Sequence, residues 1–515
     1  MSCIDKLKAI FDSRYETKKN ADGVLIKVFK DFSDEIALTL RLDELNLKSK
    51  ESVGQGGRAL VPIVRIFSES IAPNAKSGLY VTYLFSADGK STYLTLNQGT
   101  TDTDELSRKK LKETIQNTIR TDYFDKTTKT ESGKIEYNES AIFSKKYEAD
   151  NLPKEEIFVQ DLKEMVLIYQ IFIFKDEFKK SPFKSDFEHR FVKSLIAKSF
   201  VILAGNSGTG KTKTSLDFAK WLGLIIDNTK NYLLVPVGAD WTDNTNILGF
   251  YNPVLKQYEP TQVLKFILAA NKNSQTPFFL IFDEMNLSHV ERYFSDFLSA
   301  MESGEEIILY KRIDKEESEI PEKLTIPNNL FVVGTVNIDE TTYMFSPKVL
   351  DRANVIEFIP NQEDVLSLIE KDNVKSEIVL APKGTAQAFF ELVKGVRNRK
   401  NLNEKIDSKK AKEILTKVYE ILKNTDFEFA FRTAKEIRLY LNAAFEIDDN
   451  FNLEHVIDEQ VLQKILPKIH GNRKEIKKVL EDLNKICDEE GLTKSKTKIL
   501  KMLEKLDSVQ YASFM

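Results

Sequence analysis

Eight consecutive residues, Gly205-Asn206-Ser207-Gly208-Thr209-Gly210-Lys211-Thr212, match the spacing G-x-x-x-x-G-K-[ST] at every fixed position. The chemistry this spacing serves is the gripping of a phosphate chain. Successive backbone N–H groups and the start of the following helix point at one place and favour an anion there. Lys211 is expected to reach the β- and γ-phosphates, and the Thr212 hydroxyl to hold Mg²⁺. Residues Gly205 to Thr212, with Lys213 at the head of the helix, form the expected nucleotide-binding segment.

Hydrolysis needs a metal-binding carboxylate and a base for water. Phe278-Phe279-Leu280-Ile281-Phe282 is an apolar run ending in Asp283-Glu284, at the carboxyl end of an expected strand, where ligands bind in a parallel sheet. Asp283 suits Mg²⁺ through water, and Glu284 suits orienting and deprotonating the attacking water. A third apolar run, Leu330 to Thr335, leads to Asn337, whose amide is placed to reach the γ-phosphate or the water. Further on, Arg352 lies where an oligomeric NTPase projects a planar charge into the neighbouring subunit's site. Arg432, opening a helix in Phe429-Ala430-Phe431-Arg432-Thr433, either reports nucleotide state to a lid or is a solvated residue at a helix start.

The elements that must position these residues follow from periodicity. An apolar strand, Phe200 to Ala204, enters the glycine loop, and a helix-compatible run from Lys213 to Leu222 leaves it. Further strands are expected at Tyr232 to Val237, Phe278 to Phe282 and Leu330 to Thr335, alternating with helices as in a parallel α/β sheet. From Gln362 the pattern turns helical, with pieces at Glu363 to Ile369, Thr385 to Arg399, Ser408 to Asn424, Ala434 to Phe445, Gln460 to Leu466 and Glu475 to Glu489. Before the glycine loop, Ala59 to Phe67 is strand-like, and Leu79 to Phe85 and Ser91 to Leu96 read as a hairpin across Ser86-Ala87-Asp88-Gly89. Asp122 to Ser140 reads as a loop or weak strand, and Glu155 to Phe178 as a helix that precedes a break at Lys179-Lys180-Ser181-Pro182. The domains are therefore expected at 1–180, 181–360 and 361–515.

Composition bounds the rest. The 515 residues are 42% apolar and 30% charged with a net charge of −4, which describes a globular chain without the strongly basic balance of an electrostatic nucleic-acid binder. Two cysteines, Cys3 and Cys487, at opposite ends of the chain fit a reducing cytosol. Absence of an N-terminal signal pattern and of any long uncharged apolar run gives a cytoplasmic expectation with no membrane partner. The four histidines, His189, His289, His455 and His470, suggest no metal cluster.

The ordered set from Phe183 to about Phe445 resembles an AAA+ module: Walker A, Walker B, sensor 1, arginine finger and sensor 2. More specifically it resembles the McrB family, the NTPase subunits of modification-dependent restriction systems. The residues behind this are the long run from Asp283-Glu284-Met285-Asn286-Leu287-Ser288 to Met301-Glu302, the stretch Val333 to Asn337, Met344 to Phe358, and Leu248-Gly249-Phe250-Tyr251-Asn252-Pro253. Leu60 to Thr100 is similar to the MrcB-like N-terminal domain fused to such modules. The resemblance implies an AAA+ P-loop α/β core with a helical lid and an α+β N-terminal domain. It also implies a ring, usually a hexamer, Mg²⁺ as cofactor, DNA binding through the N-terminal domain, and cleavage by a separate McrC-like nuclease subunit.

Known members use GTP and have Asn-Thr-Ala-Asp after the sensor strand. Here Asn337-Ile338-Asp339-Glu340 stands in that place, so ATP and GTP both remain expectations. Tyr80, Tyr83, Phe85 and Tyr93 in the hairpin suit either strand core or stacking on an unstacked base. Lys109, Lys110 and Lys112 suit either phosphate contact or a solvated helical face. Three functions fit these residues: a DNA-directed NTPase of a restriction or phage-defence complex, a MoxR- or dynein-like remodeller of proteins, and a nucleotide-gated scaffold.

Overall fold

The computed structural model describes the chain apart from residues 1, 14–22, 54–60, 119–122, 127–129, 132–134, 224, 227–228, 312–319, 339–342, 361–365, 367–377, 449 and 515. It divides into two compact units, Met1–Lys180 with Pro382–Leu392, and Ser181–Ala381 with Val393–Met515. No described helix is long and apolar enough to cross a membrane.

In the first unit, five antiparallel strands lie side by side in chain order: Lys48–Ser52, Ile63–Phe67, Leu79–Phe85, Ser91–Gln98 and Ala141–Glu148. Every residue of Leu79–Phe85 and Ser91–Gln98 is buried, so both faces of the central hairpin are covered. Phe29 and Phe32 of the helix Gly23–Leu40 meet Phe85 and Tyr83 at centroid distances of 4.8 and 5.2 Å, and Phe158 of the helix Glu155–Lys180 stacks on Tyr83 at 5.6 Å. Tyr80, Tyr83, Phe85 and Tyr93 are all at most 3% exposed. They form core, so stacking on a nucleic-acid base is excluded for them. The turn closes as its Asp-Gly suggests: Gly89 has φ +70° and Ser86 Oγ donates to Asp88 Oδ1 at 2.6 Å. The segment expected as loop contains the helix Ile135–Ser140, while Asp122 lies outside the described residues. Lys109 and Lys110 are exposed on the helix Glu105–Thr118, and Lys112 is half-buried there.

The second unit is organised around five parallel strands in the order Asn354–Glu357, Phe200–Gly205, Leu330–Asn337, Phe278–Asp283 and Tyr232–Pro236. The four long apolar runs are where the sequence places them. The short edge strand Asn354–Glu357 is the addition. Its four residues are too few to show a period. Leu248 to Pro253 belongs to an antiparallel hairpin, Gly249–Asn252 with Gln257–Pro260, stacked through Tyr251 on Tyr310 at 5.6 Å. Beyond the sheet come the helices Ser408–Leu422, Phe431–Ile447, Leu453–Gln460, Arg473–Glu489 and Thr493–Val509. The stretch expected as a helix from Gln460 to Leu466 is helical but not α-helical. The regular helix stops at Gln460 and the chain widens into π-type turns at Val461–Ile465 before Pro467. Most of the expected helix Glu363 to Ile369 lies outside the described residues.

Candidate nucleotide site

The strand Phe200–Gly205 is wholly buried and delivers the chain to the glycine loop. Gly208 and Gly210 have φ of +73° and +100°, the left-handed region a side chain disfavours, and they turn the backbone into the helix Lys211–Trp221. No side chain caps that helix, and a helix N-terminus of this kind suits an anion. Lys211 is buried, and its ammonium donates to the carbonyls of Gly205 at 2.9 Å and Asn206 at 2.6 Å. Its charge is thus pinned to the loop itself. Lys213 points to solvent and pairs with Asp217 one turn on.

Strand register brings the remaining groups to the loop. Asn337 stands opposite Gly205, and Phe282 opposite Gly334, so Asp283 and Glu284 emerge beside Thr335 and Asn337. Thr212 Oγ1 and Thr335 Oγ1 both donate to Asp283 Oδ1, each at 2.6 Å. Asn337 Nδ2 donates to Glu284 Oε1 at 3.1 Å. Glu284 has φ +53°, a conformation costing about 1–3 kcal/mol in a non-glycine residue, and its N–H donates to Thr335 Oγ1 at 3.1 Å. Thr335 therefore fixes both acids, a role that sequence reasoning missed although the residue lies two places before Asn337. The long run after Asp283 has structural work. Asn286 Nδ2 donates to the Asn337 carbonyl at 3.2 Å, Tyr293 OH to the Met285 carbonyl at 2.7 Å and Ser288 Oγ to the Trp241 carbonyl at 2.6 Å. Gly334 is needed for close approach, because a Cβ there would lie 2.5 Å from Met285 Sδ.

Hydroxyl and carboxylate oxygens at Thr212 and Asp283 form the hard donor set that Mg²⁺ prefers. Replacing Thr335 by Val removes the second hydroxyl on Asp283 and the acceptor for the Glu284 N–H. A hydrolysis titration is expected to need about tenfold more Mg²⁺ for half-maximal rate, with stability lowered by about 1–3 kcal/mol. An unchanged Mg²⁺ requirement would remove Thr335 from the site.

Arg352 and Arg432 are not brought to this loop. They line a cavity of about 530 Å³ with Ser199 and Phe200, at the start of the loop strand, together with Glu302, Arg397 and Lys435. Five steps along a strand span roughly 16 Å, so neither guanidinium reaches a phosphate at the other end. Glu302 pairs with both arginines, Arg432 Nη1 donates to Asp351 Oδ2 at 2.5 Å, and Arg352 Nη1 to the Lys348 carbonyl at 2.9 Å. This corrects the expectation of Arg432 as a nucleotide contact within its own chain. Its acidic partners hold it at the opposite end of the strands from the loop. Buried Lys464 donates to the carbonyls of Asp351 at 2.7 Å and Ala353 at 2.9 Å, clamping the segment that presents Arg352. Burial pushes this ammonium down to about 7.

The expectation that no histidine joins a metal-like cluster is also corrected. Asp186, His455 and Glu459 lie together, with ligand atoms within 4.8 Å of one another. Their charges are already met: Glu459 by Lys193 at 2.8 Å, and Asp186 by Arg190 at 2.9 Å and by Lys494. Hydrogen bonds to Asp186 and then Glu459 push the His455 imidazole up to about 9. Against the cost of burial, His455 and Lys193 bring Glu459 down to about 2. A raised imidazolium stabilises the fold fully below its ordinary value of 6.5 and loses that contribution as pH rises through about 9. Expected, therefore, is a wild-type melting midpoint that loses ground to His455→Gln between pH 6.5 and 9, read as the difference between the two proteins. Lys464, which acts in the opposite sense, cancels in that difference. A constant difference across the window would contradict the pairing.

A larger cavity, of about 940 Å³, adjoins the glycine loop at Ser207, Gly208 and Thr209, and is lined also by Phe187, Phe358, Lys498 and Lys501. Asp339 to Thr342, the stretch where the base-related departure falls, lies outside the described residues.

Comparisons with known proteins agree with the N-terminal resemblance. The family profile of the MrcB-like N-terminal domain matches residues 7–173, and that of a domain of unknown function, DUF8727, matches 385–511. A search of curated proteins gives no match. Among solved structures, a "putative ATPase" from Cytophaga hutchinsonii is similar at 16% identity with a TM-score of 0.42, over 61% of this chain and 91% of that one.

Proposed function

We propose that this chain, an MrcB-like N-terminal domain joined to an AAA+ P-loop core, hydrolyses a nucleoside triphosphate, ATP or GTP, at a site completed by a second copy of itself. The observation behind this is the convergence of Thr212, Thr335, Asp283, Glu284 and Asn337 in one hydrogen-bonded set at the ends of three adjacent strands. Phosphates seat on the N–H groups of the loop and the head of its helix, and Lys211 shifts from the loop carbonyls to the β- and γ-phosphates. Mg²⁺, held by Thr212 and Asp283, would neutralise charge on the phosphate oxygens. Glu284 Oε2 takes the proton of the attacking water, while Oε1 is kept in place by Asn337. Arg352, with Arg432 beside it, reaches the site of the neighbouring copy, because its own loop lies at the far end of a strand.

The MrcB-like domain favours coupling this turnover to DNA in a restriction or phage-defence complex, as a ring of six with an McrC-like nuclease subunit supplying cleavage. The hairpin aromatics are core, so any DNA contact in this reading uses surface groups of the first unit such as Lys109 and Lys110. The deciding experiment compares ATP and GTP hydrolysis with and without modified DNA and an McrC-like nuclease subunit. Turnover stimulated by DNA or nuclease supports the reading, whereas turnover stimulated only by a protein substrate supports a remodeller.

A further inference from the structure

The helix Thr493–Val509 lines the 940 Å³ cavity together with the glycine loop. Lys494, Lys498 and Lys501, spaced i, i+4 and i+7, share the face that lines this cavity, opposite Ser207, Gly208 and Thr209. Two of the three lysines are already engaged. Lys494 pairs with Asp186, and Lys498 donates to Glu357 Oε1 at 2.7 Å while lying over the Phe514 ring at 4.4 Å. Glu357 is itself in register with Ala204, one residue before the loop, so this pairing fixes the helix against the loop strand. Lys501 is exposed, and no hydrogen bond or ion pair joins it to another of the described residues. Lys501 and the phosphate-binding loop pattern therefore line one and the same cavity. Arg432, the lid cation that the sequence points to, lies at the other end of the sheet.

We propose that Lys501 is a nucleotide-binding residue of the same chain, contacting the phosphates of a nucleoside triphosphate seated on the glycine loop, with Lys494 and Lys498 holding its helix in place. The proposal rests on the reading of that loop as a triphosphate site. It gives the region matched by the domain of unknown function a direct part in gripping the nucleotide. Because the contact is to bound phosphate rather than to the attacking water, its loss weakens binding and spares the chemical step.

The experiment measures equilibrium binding of a fluorescent ATP and a fluorescent GTP, with KM and kcat, on the full chain. The variants are Lys501→Gln, Lys501→Glu and Lys501→Arg, with Lys485→Glu on the exposed surface as a control for net charge. Lys501→Gln is expected to raise Kd and KM about three- to tenfold, Lys501→Glu more, and Lys501→Arg hardly at all, with kcat within about twofold throughout. The control should leave all values unchanged. Lys501→Glu binding nucleotide as tightly as wild type overturns this inference alone. Failure of the wild-type chain to bind either nucleotide overturns the triphosphate reading and this inference with it.

Discussion

Glu284→Gln is expected to bind nucleotide like the wild-type chain and to hydrolyse it about 10²–10⁴ times more slowly. The substitution is nearly isosteric, and the carbonyl of the new amide still accepts the 3.1 Å hydrogen bond from Asn337 Nδ2. What is lost is the group that takes the proton from water. The left-handed backbone of Glu284 is held by its N–H bond to Thr335 Oγ1, which the substitution leaves intact, so the effect belongs to chemistry rather than folding. Single-turnover hydrolysis with separately measured binding checks this. Loss of both hydrolysis and biological activity in the same variant, with binding intact, would argue against a nucleotide-gated scaffold, which has no need of a base. Undiminished hydrolysis would place the base elsewhere.

Arg352→Ala is expected to be comparably severe, lowering turnover by about 10³-fold or more with nucleotide affinity retained. The guanidinium is anchored on the Lys348 carbonyl and Glu302, at the end of the strands remote from its own loop, so it has no part in seating its own nucleotide. Glu302 keeps Arg432 as a partner after the change, which limits the structural cost. Arg352→Lys is expected to recover little, because an ammonium lacks the planar fork. Hydrolysis per subunit should also fall when the wild-type protein is diluted until it dissociates. Full turnover by Arg352→Ala would contradict its assignment.

The glycine loop, the two acids and Asn337 were legible because each follows an apolar strand, and strand ends in a parallel sheet put such residues together. Thr335 escaped notice because within Val333-Gly334-Thr335-Val336 it reads as an ordinary β-former, and only register against Asp283 reveals its hydroxyl as a bridge. Arg432 was misplaced for a related reason. Sequence order puts it at a helix start in a lid but says nothing of which end of the sheet that helix meets, and Asp351 and Glu302 decide that. Lysines dominate the helix Thr493–Val509 in the sequence and mask its apolar stripe, Ile499, Met502 and Leu506 at i, i+3 and i+7, all buried. The hairpin aromatics illustrate the opposite limit. Alternation along a strand cannot tell a covered face from an open one, and here the helices Gly23–Leu40 and Glu155–Lys180 supply aromatic partners that bury Tyr83 and Phe85.

The claim that one copy's base works with another copy's arginine is tested by mixing two inactive proteins. Glu284→Gln lacks the base but keeps Arg352; Arg352→Ala keeps Glu284 but lacks the arginine. In a mixed assembly, some interfaces pair an intact Glu284 with an intact Arg352. Hydrolysis well above that of either variant alone, rising and falling with the mixing ratio, is the predicted result. Mixtures showing no more activity than the sum of the two separate proteins, while co-assembling by an independent size measurement, would contradict a site shared between copies.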